Sequence, residues 1–150
     1  MPQSFDDGRK KKLRLKIITP SAVKLDCEAD MVVIRCTTGE MGVLPGHQPH
    51  SAVLAYGALR YINEGIERRL AVYGGFAEIN GDVFTVLTQD AEWPEEIDRV
   101  RAESYRALAK RKQEKTGGAK YNYDREQMKR SSVQISIFDH HVGGEDDDEE

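Results

Sequence analysis

Apolar and polar positions alternate with a period of two along the first half of the chain. Leu13, Leu15 and Ile17 are separated by Arg14 and Lys16, which is typical of a strand with one buried face and one exposed face. Further short apolar runs follow as ADMVVIRC, ALRYINE, ERRLAVY and VFTVLTQ. A glycine between the second and third runs and an NG pair before the fourth indicate hairpin turns. The pattern therefore predicts an all-β sandwich or barrel over residues 12–91.

After this region, the spacing of apolar and polar positions changes from that of a strand to that of a helix. Pro94 suits the first turn of a helix, and the acids that follow it, including Asp98, suit the positive end of a helix. The helical pattern continues until the sequence TGG, which indicates its end. A second helix is predicted to begin at YDREQMKR, although the next segment, SSVQISIF, alternates like a strand. The fold class is thus a β domain followed by a C-terminal α-helical hairpin over residues 92–143.

The stretch GEMGVLPGHQP interrupts the alternating pattern of the β domain. It holds three glycines, two prolines and one histidine within eleven residues. Glycine permits backbone angles that are closed to other residues, and proline restricts the alternatives. We therefore predict a loop of fixed shape here, and neither an ordinary strand nor a helix.

The composition is that of a soluble domain with an appendage. Of 150 residues, 39% are hydrophobic and 32% are charged, and no apolar run approaches the roughly 20 residues that span a bilayer. Both polar ends, residues 1–11 and 144–150, are predicted to be disordered. The basic start lacks an uninterrupted apolar core of the signal-peptide kind. We expect no direct membrane insertion, and reduced thiols at Cys27 and Cys36.

The charge is distributed unevenly along the chain. The net charge is -4, yet the segment from Arg99 to Arg130 contains eleven basic side chains against four acidic ones, a local charge of +7. Such a segment either binds an acidic partner or polyanion, or forms a solvated helical face.

The motifs of several enzyme and binding classes are missing from the sequence. There is neither a GxxxxGK[ST] phosphate-binding loop nor a GxSxG nucleophile elbow. His47 and His50 are the candidate metal ligands, but a spacing of three does not place them on one strand face, and Pro49 lies between them. We predict no metal site and no catalytic residues. The basic run RKKKLRLK has no interleaved aromatic residue to stack on bases, so we predict no nucleic-acid partner.

The stretch GEMGVLPGHQP resembles a motif of the epsilon subunit of the F-type ATP synthase. That family shows G-E-[apolar]-G-[apolar]-[apolar]-P-G-H-x-P, followed by G-x-[apolar]-R, which residues 57–60, GALR, match. The sequence IDRVRA, residues 97–102, fits the family pattern [IL]-D-x-x-R-A. The resemblance covers about residues 12–115, and the order of sandwich and helical hairpin agrees with it.

The resemblance implies a noncatalytic central-stalk, or rotor, subunit. Its partners would be the gamma subunit, the membrane ring of c subunits and the catalytic alpha/beta head. It would link gamma to the ring and inhibit ATP hydrolysis through its C-terminal hairpin, as a peripheral protein on the cytoplasmic face of the bacterial membrane. The implied ring-docking loop comprises Glu40, Gly42, Pro45, Gly46, His47 and Pro49.

The resemblance also implies a nucleotide site at the start of the hairpin. No cofactor is required, but ATP would be a regulatory ligand of Glu92, Ile97, Asp98, Arg101 and Ala102. An alternative is a simple pair on one helix face, with Asp98 as a helix-start acid and Arg101 as its salt-bridge partner.

The sequence departs from the family pattern in its long N-terminal segment, in the arginine spacing of the second helix and in its acidic end. Two other functions remain alternatives: a stand-alone ATP-sensing module and a metal-dependent β-sandwich enzyme.

Overall fold

The computed structural model describes residues 11–116 and 122–147. Residues 1–10 of the first predicted tail and residues 148–150 of the second lie outside this range. In chain order, the elements are β1 (Leu13–Ile18), β2 (Val23–Ala29), β3 (Met31–Cys36), β4 (Gly39–Val43), β5 (His50–Asn63), β6 (Ile66–Asn80), β7 (Val83–Leu87), β8 (Ala91–Glu92), a 3-10 turn (Pro94–Glu96), α1 (Arg99–Thr116) and α2 (Asn122–Asp147).

The strands form a sandwich from one folded sheet, in the order β2-β1-β7-β6-β5-β3-β4, with β8 added to β6. All neighbouring pairs are antiparallel except β1 and β7, which run parallel. The long strand β6 pairs with β8 at Ala71 and Val72, and with β7 from Phe76 onward. The predicted sandwich is confirmed, and because the sheet is not closed, the barrel alternative is not adopted.

The core of the sandwich contains the apolar residues of the alternating pattern. Leu13, Leu15 and Ile17 are fully buried, whereas Arg14 between them pairs with Asp26 on the exposed face. Two-residue alternation therefore identified the buried face of β1 correctly. The other large, fully buried side chains are Ile34, Leu59, Leu70, Ile79, Phe84, Val32, Val43, Val72 and Val86.

The first part of the GEMGVLPGHQP stretch is a strand, which corrects the prediction of a loop. Residues Gly39–Val43 form β4, which pairs with β3 along its whole length and lies at one edge of the sheet. An edge strand needs a partner on one side only, and Val43 still supplies a fully buried side chain. Pairing with β3 thus outweighs the low strand propensity of the glycines, and only residues 44–49 remain a loop.

The hairpin begins later than the sequence predicted. Pro94–Glu96 form a separate 3-10 turn, and α1 starts at Arg99. Asp98 caps α1, because its Oδ1 accepts the backbone N–H of Arg101 at 3.1 Å. The described part of α1 extends to Thr116, and the two glycines of the predicted TGG end, residues 117 and 118, lie outside the described residues.

The segment SSVQISIF is helical, and α2 runs without a break from Asn122 to Asp147. Its strand-like alternation is overridden because Val133 and Ile137, four residues apart, share the helix face that packs on the sandwich. The helix also includes residues 144–147, which the sequence assigned to a disordered tail. Extending a helix that packing has already nucleated costs little per residue.

The hairpin lies against the sandwich through a second, small apolar cluster. Ile97 precedes α1 and Ile137 lies on α2, and both are buried there, each contributing about 1.5–3 kcal/mol. The Arg99 guanidinium pairs with the Asp139 carboxylate at 2.7 Å, which joins the start of α1 to the second half of α2. The other members of the cluster are Ala71 and Tyr73, with Tyr56, Ala58, Val133 and Phe138 packed against them.

Candidate functional site

Four of the predicted docking residues lie together in the loop of residues 44–49, which we call the end loop. Gly46 has a φ of +83°, which favours glycine, and its N–H donates to Asp82 Oδ1 at 2.7 Å. Asp82 belongs to the turn between β6 and β7, so two loops are joined at one end of the sandwich. The His47 N–H donates to the Leu44 carbonyl at 3.2 Å. With Pro45 and Pro49 limiting the backbone further, the end loop has a defined, exposed shape.

The other two predicted docking residues do not belong to the end loop. Glu40 and Gly42 lie on β4, and Glu40 pairs in register with Arg35 of β3. Glu40 lines a groove of about 840 Å³ between the sheet and α2, together with Lys129. Three residues of strand, about 10 Å, separate Glu40 from the end of β4. The structure therefore divides the predicted docking set between two places.

An exposed apolar stripe crosses three neighbouring strands of the sheet. Val53 of β5 pairs with Phe76 of β6, and Phe76 pairs with Leu87 of β7, so all three side chains share one face. Their exposed fractions are 51%, 63% and 50%. They border a shallow cavity of about 360 Å³. Contiguous exposed apolar groups of this kind mark interaction surfaces.

Sequence reasoning missed this stripe, although a signal for it was present. The alternation of β6 places Phe76 on the same face as Glu78 and Asn80, which are both exposed. A phenylalanine on the polar face of a strand is the kind of exception that indicates a binding surface.

Glu92, one of the predicted nucleotide residues, accepts three hydrogen bonds from the protein. Its Oε1 accepts from the Tyr73 hydroxyl at 2.8 Å, from Gln134 Nε2 at 2.9 Å and from Arg130 Nη2 at 3.0 Å. Tyr73 is buried, and burial together with the hydrogen bond to Glu92 raises its pKa far above the ordinary value for tyrosine. The phenol therefore remains a donor at any physiological pH. Glu92 connects the sandwich to α2.

The four remaining predicted nucleotide residues do not line one open pocket. Ile97 and Ala102 are 6% and 2% exposed, so both belong to the packed interior. Asp98 and Arg101 are exposed at the start of α1. The Arg101 guanidinium contacts the Tyr105 hydroxyl at 3.0 Å and lies over its ring at 5.4 Å. The alternative interpretation is therefore half right: Asp98 is the helix-start acid, but the neighbour of the Arg101 guanidinium is Tyr105.

The outer face of α1 is both basic and apolar. Among the α1 residues whose burial the structure describes, only Ala102 and Ala109 are buried, while Val100, Tyr105 and Leu108 are 75%, 44% and 49% exposed. The exposed basic residues beside them on α1 are Arg101, Arg106, Lys110, Arg111 and Lys112. This face suits an acidic partner surface with apolar groups of its own.

Neither a metal centre nor a membrane span is found in the part of the chain that the structure describes. No group of three or more potential metal-ligating side chains occurs among these residues, and the His47 and His50 rings are 6.3 Å apart. No helix within residues 11–116 and 122–147 has the length and apolar character needed to cross a membrane.

Comparison with known proteins agrees with the sequence motif. The profile of the family described as "ATP synthase, Delta/Epsilon chain, beta-sandwich domain" matches residues 12–94. The ATP synthase epsilon chain of Bacillus subtilis is 41% identical over 99 residues, which are 66% of this chain and 75% of that relative. The epsilon chain of Alkalihalophilus pseudofirmus is also 41% identical, over 97 residues, which are 63% of this chain and 73% of the relative.

Two solved structures share the fold. A chain of the Euglena gracilis mitochondrial ATP synthase, in a structure of OSCP, F1 and c-ring, is 27% identical with a TM-score of 0.64, covering 94% of this chain and 86% of that chain. A chain of the Tetrahymena thermophila mitochondrial ATP synthase, in a structure of the central stalk and c-ring, is 12% identical with a TM-score of 0.52. The match covers 89% of this chain and 98% of that chain, and it supports the fold alone. From its family match, its relatives and its architecture, the chain belongs to the ATP synthase delta/epsilon family, and within it to the epsilon chains.

Proposed function

We propose that this chain is a noncatalytic central-stalk subunit that links the gamma subunit to the ring of c subunits and restrains ATP hydrolysis through its hairpin. Family membership supports the assignment to the complex. The observation that carries the linking role is the exposed stripe of Val53, Phe76 and Leu87, since a folded monomer gains nothing from keeping three large apolar side chains in water. The subunit would be peripheral, on the cytoplasmic face of a bacterial membrane.

The stripe is the surface that we assign to gamma. Three residues from adjacent strands give a flat apolar centre, and Ser51, Glu78 and Thr85 border it with polar groups. An apolar centre with a polar rim is the usual anatomy of a stable protein interface. The partner surface would therefore present apolar side chains surrounded by polar ones.

The end loop is the surface that we assign to the ring. It is exposed, held by the hydrogen bond from Gly46 to Asp82, and lies outside the hairpin contacts. A loop of fixed shape can dock without first losing conformational freedom, which reduces the cost of binding. Shape then matters more than charge at this surface.

One pair of variants separates the two surfaces. Phe76→Asp should abolish capture by a gamma subunit, because it places a charge at the centre of the apolar stripe. Gly46→Val should leave that capture unchanged but reduce proton pumping by the assembled enzyme, because a φ of +83° is strained for valine. Capture on immobilised gamma and pumping in membrane vesicles measure the two effects.

Each variant is the control for the other. Asn80→Asp, which adds a charge on the same face of β6 at its end, should retain gamma. If immobilised gamma still captures Phe76→Asp in full, the stripe is not the gamma surface. If Gly46→Val leaves proton pumping unchanged, the end loop is not the ring surface.

ATP as a regulatory ligand is a further part of the proposal. Asp98 and Arg101 are exposed on the first turn of α1, where a guanidinium can pair with phosphate oxygens. Calorimetry should show weak binding of ATP without hydrolysis, and Arg101→Ala should weaken it about tenfold, as expected for one hydrogen-bonded charge. Arg106→Ala, an exposed arginine on the same helix, should bind like the wild type. No heat from the wild type, or equal affinity in Arg101→Ala, would leave Asp98 as a helix cap only.

A further inference from the structure

Asp82 has a backbone conformation that is unusual for its residue type. Its φ of +64° lies in the left-handed region, which among the described residues only one other non-glycine residue, Glu64 at +54°, occupies. It is the second residue of the two-residue turn between β6 and β7, since Asn80 and Val83 pair across that turn. Both central residues of such a type I′ turn need a positive φ, and glycine is the usual residue at the second position. The backbone of Asp82 is therefore strained where that of glycine would not be.

The hydrogen bonds of Asp82 give a reason for this strain. Its Oδ1 accepts the Gly46 N–H at 2.7 Å, and its carbonyl oxygen accepts the Arg14 N–H at 2.9 Å. Asp82 thus connects the end loop and the start of β1 to the turn between β6 and β7. A glycine at this position would avoid the strain, but it has no side chain to accept the Gly46 N–H. The carboxylate acceptor is what aspartate adds at this position.

The hydrogen bond to Asp82 acts on the end loop at its most adaptable residue. Gly46 has a φ of +83°, and nothing lies within 4 Å of the position that a Cβ would take there, so packing does not fix the loop at this point. The hydrogen bond from the His47 N–H to the Leu44 carbonyl closes the loop on itself without attaching it to a strand. A hydrogen bond to a carboxylate is stronger than one to a neutral acceptor. Asp82 therefore attaches the loop to the rest of the sandwich.

We propose that Asp82 is a positioning residue for the end loop: its strained backbone places its carboxylate where it holds Gly46, and with it the loop, in the docking shape. This inference rests on the proposed docking of the end loop on the ring of c subunits. A loop that is already held in its docking shape loses little conformational freedom on binding. A loop that adopts this shape only about one tenth of the time binds roughly tenfold more weakly.

Hydrogen exchange in the isolated full-length chain tests the positioning directly. Asp82→Gly is compatible with the positive φ but removes the acceptor, so the Gly46 N–H should exchange at least about tenfold faster, as expected for losing one hydrogen bond to a charged group. The amides of β6 and β7 should exchange as in the wild type, because glycine suits the turn that joins them. Asp82→Asn keeps a neutral acceptor and tolerates a positive φ, so its Gly46 N–H should exchange at an intermediate rate.

Glu64→Gly is the matched control. Glu64 also combines a side chain with a positive φ, but it lies in the turn between β5 and β6, and its carboxylate pairs with Lys12 at 2.6 Å. Replacing it with glycine makes the same backbone change in a different turn and should leave exchange of the Gly46 N–H unchanged. Wild-type exchange of this N–H in Asp82→Gly, or equally fast exchange in Glu64→Gly, would overturn the positioning role of Asp82.

The assembled enzyme separates failure of this inference from failure of the proposed docking. Asp82→Gly should reduce proton pumping in membrane vesicles, while immobilised gamma should still capture it because the exposed stripe is unchanged. If the Gly46 N–H exchanges faster in Asp82→Gly but neither this variant nor Gly46→Val reduces pumping, Asp82 positions the loop and the docking of the loop on the ring is wrong. If Gly46→Val reduces pumping but Asp82→Gly alters neither exchange nor pumping, the docking stands and the positioning role of Asp82 is wrong.

Discussion

Gly75→Ala is expected to destabilise the sandwich by about 3 kcal/mol or more, the sum of steric overlap and backbone strain. Gly75 has a φ of +111°, and a Cβ there would lie 1.9 Å from the Leu87 carbonyl oxygen and 2.9 Å from the Thr88 Cα. These are backbone atoms of the β7 end, so they cannot rotate aside as a side chain could. The strand pairing itself would have to shift.

Urea unfolding checks this expectation. Trp93 is the only tryptophan, it packs against the core, and Arg68 lies 4.2 Å above its ring, so its fluorescence reports folding. Gly81→Ala is the matched control, since Gly81 also has a positive φ of +57° but nothing lies within 4 Å of an added Cβ. Gly81→Ala should therefore lower the free energy of unfolding only by the backbone strain, about 1–2 kcal/mol. An equal decrease in the free energy of unfolding of the two variants would contradict the expectation, because the steric overlap at position 75 would then add nothing to the backbone strain.

Gly75 is important for the fold and is also adjacent to the proposed gamma surface. It lies between the part of β6 that pairs with β8 and the part that pairs with β7, and it directly precedes Phe76. A backbone shift there would move the apolar stripe. Partial loss of gamma capture should therefore accompany any folded Gly75 variant.

Local patterns in the sequence were sufficient to predict most of the β domain. Alternation identified the buried side chains of β1, and the Asn80-Gly81 pair identified the turn between β6 and β7. The same reasoning failed for β4, because its glycines have low strand propensity and its stability comes from pairing with β3. Long-range pairing is not visible in a local pattern.

The site was less predictable than the fold for the same physical reason. Glu92 and Arg130 are 38 residues apart, and no periodicity connects them. Only the return of α2 along α1 brings the two side chains together. The segment SSVQISIF shows the same limit, since its alternation favours a strand while the packing of Ile137 on Tyr73 selects a helix. By contrast, the exposed Phe76 was detectable, because local alternation assigns it to the polar face.

The second large effect that we expect is activation of ATP hydrolysis when the hairpin is removed. The shortened chain should end with Trp93, so that it keeps strand β8 (Ala91–Glu92), which pairs with β6, and Trp93, which packs against the core. Circular dichroism should show that the sandwich remains folded, since its core lies entirely within residues 13–93. Incorporated into the enzyme, the truncated subunit should raise hydrolysis at least about fivefold, the lower end of typical coupling between sites.

The physical reason is the attraction between the basic outer face of α1 and an acidic surface of the catalytic head. The segment from Arg99 to Arg130, to which α1 belongs, has a net charge of +7, and salt screens such an attraction. A full-length variant with Arg106, Lys110 and Arg111 changed to glutamine keeps the helices but loses three exposed charges, so it should show part of the activation. The difference between wild type and truncation should also shrink as salt rises to 1 M, where screening acts within about 3 Å. Activation that is equal at all salt concentrations would assign the inhibition to the exposed apolar side chains Val100 and Leu108, and no activation at all would refute inhibition by the hairpin.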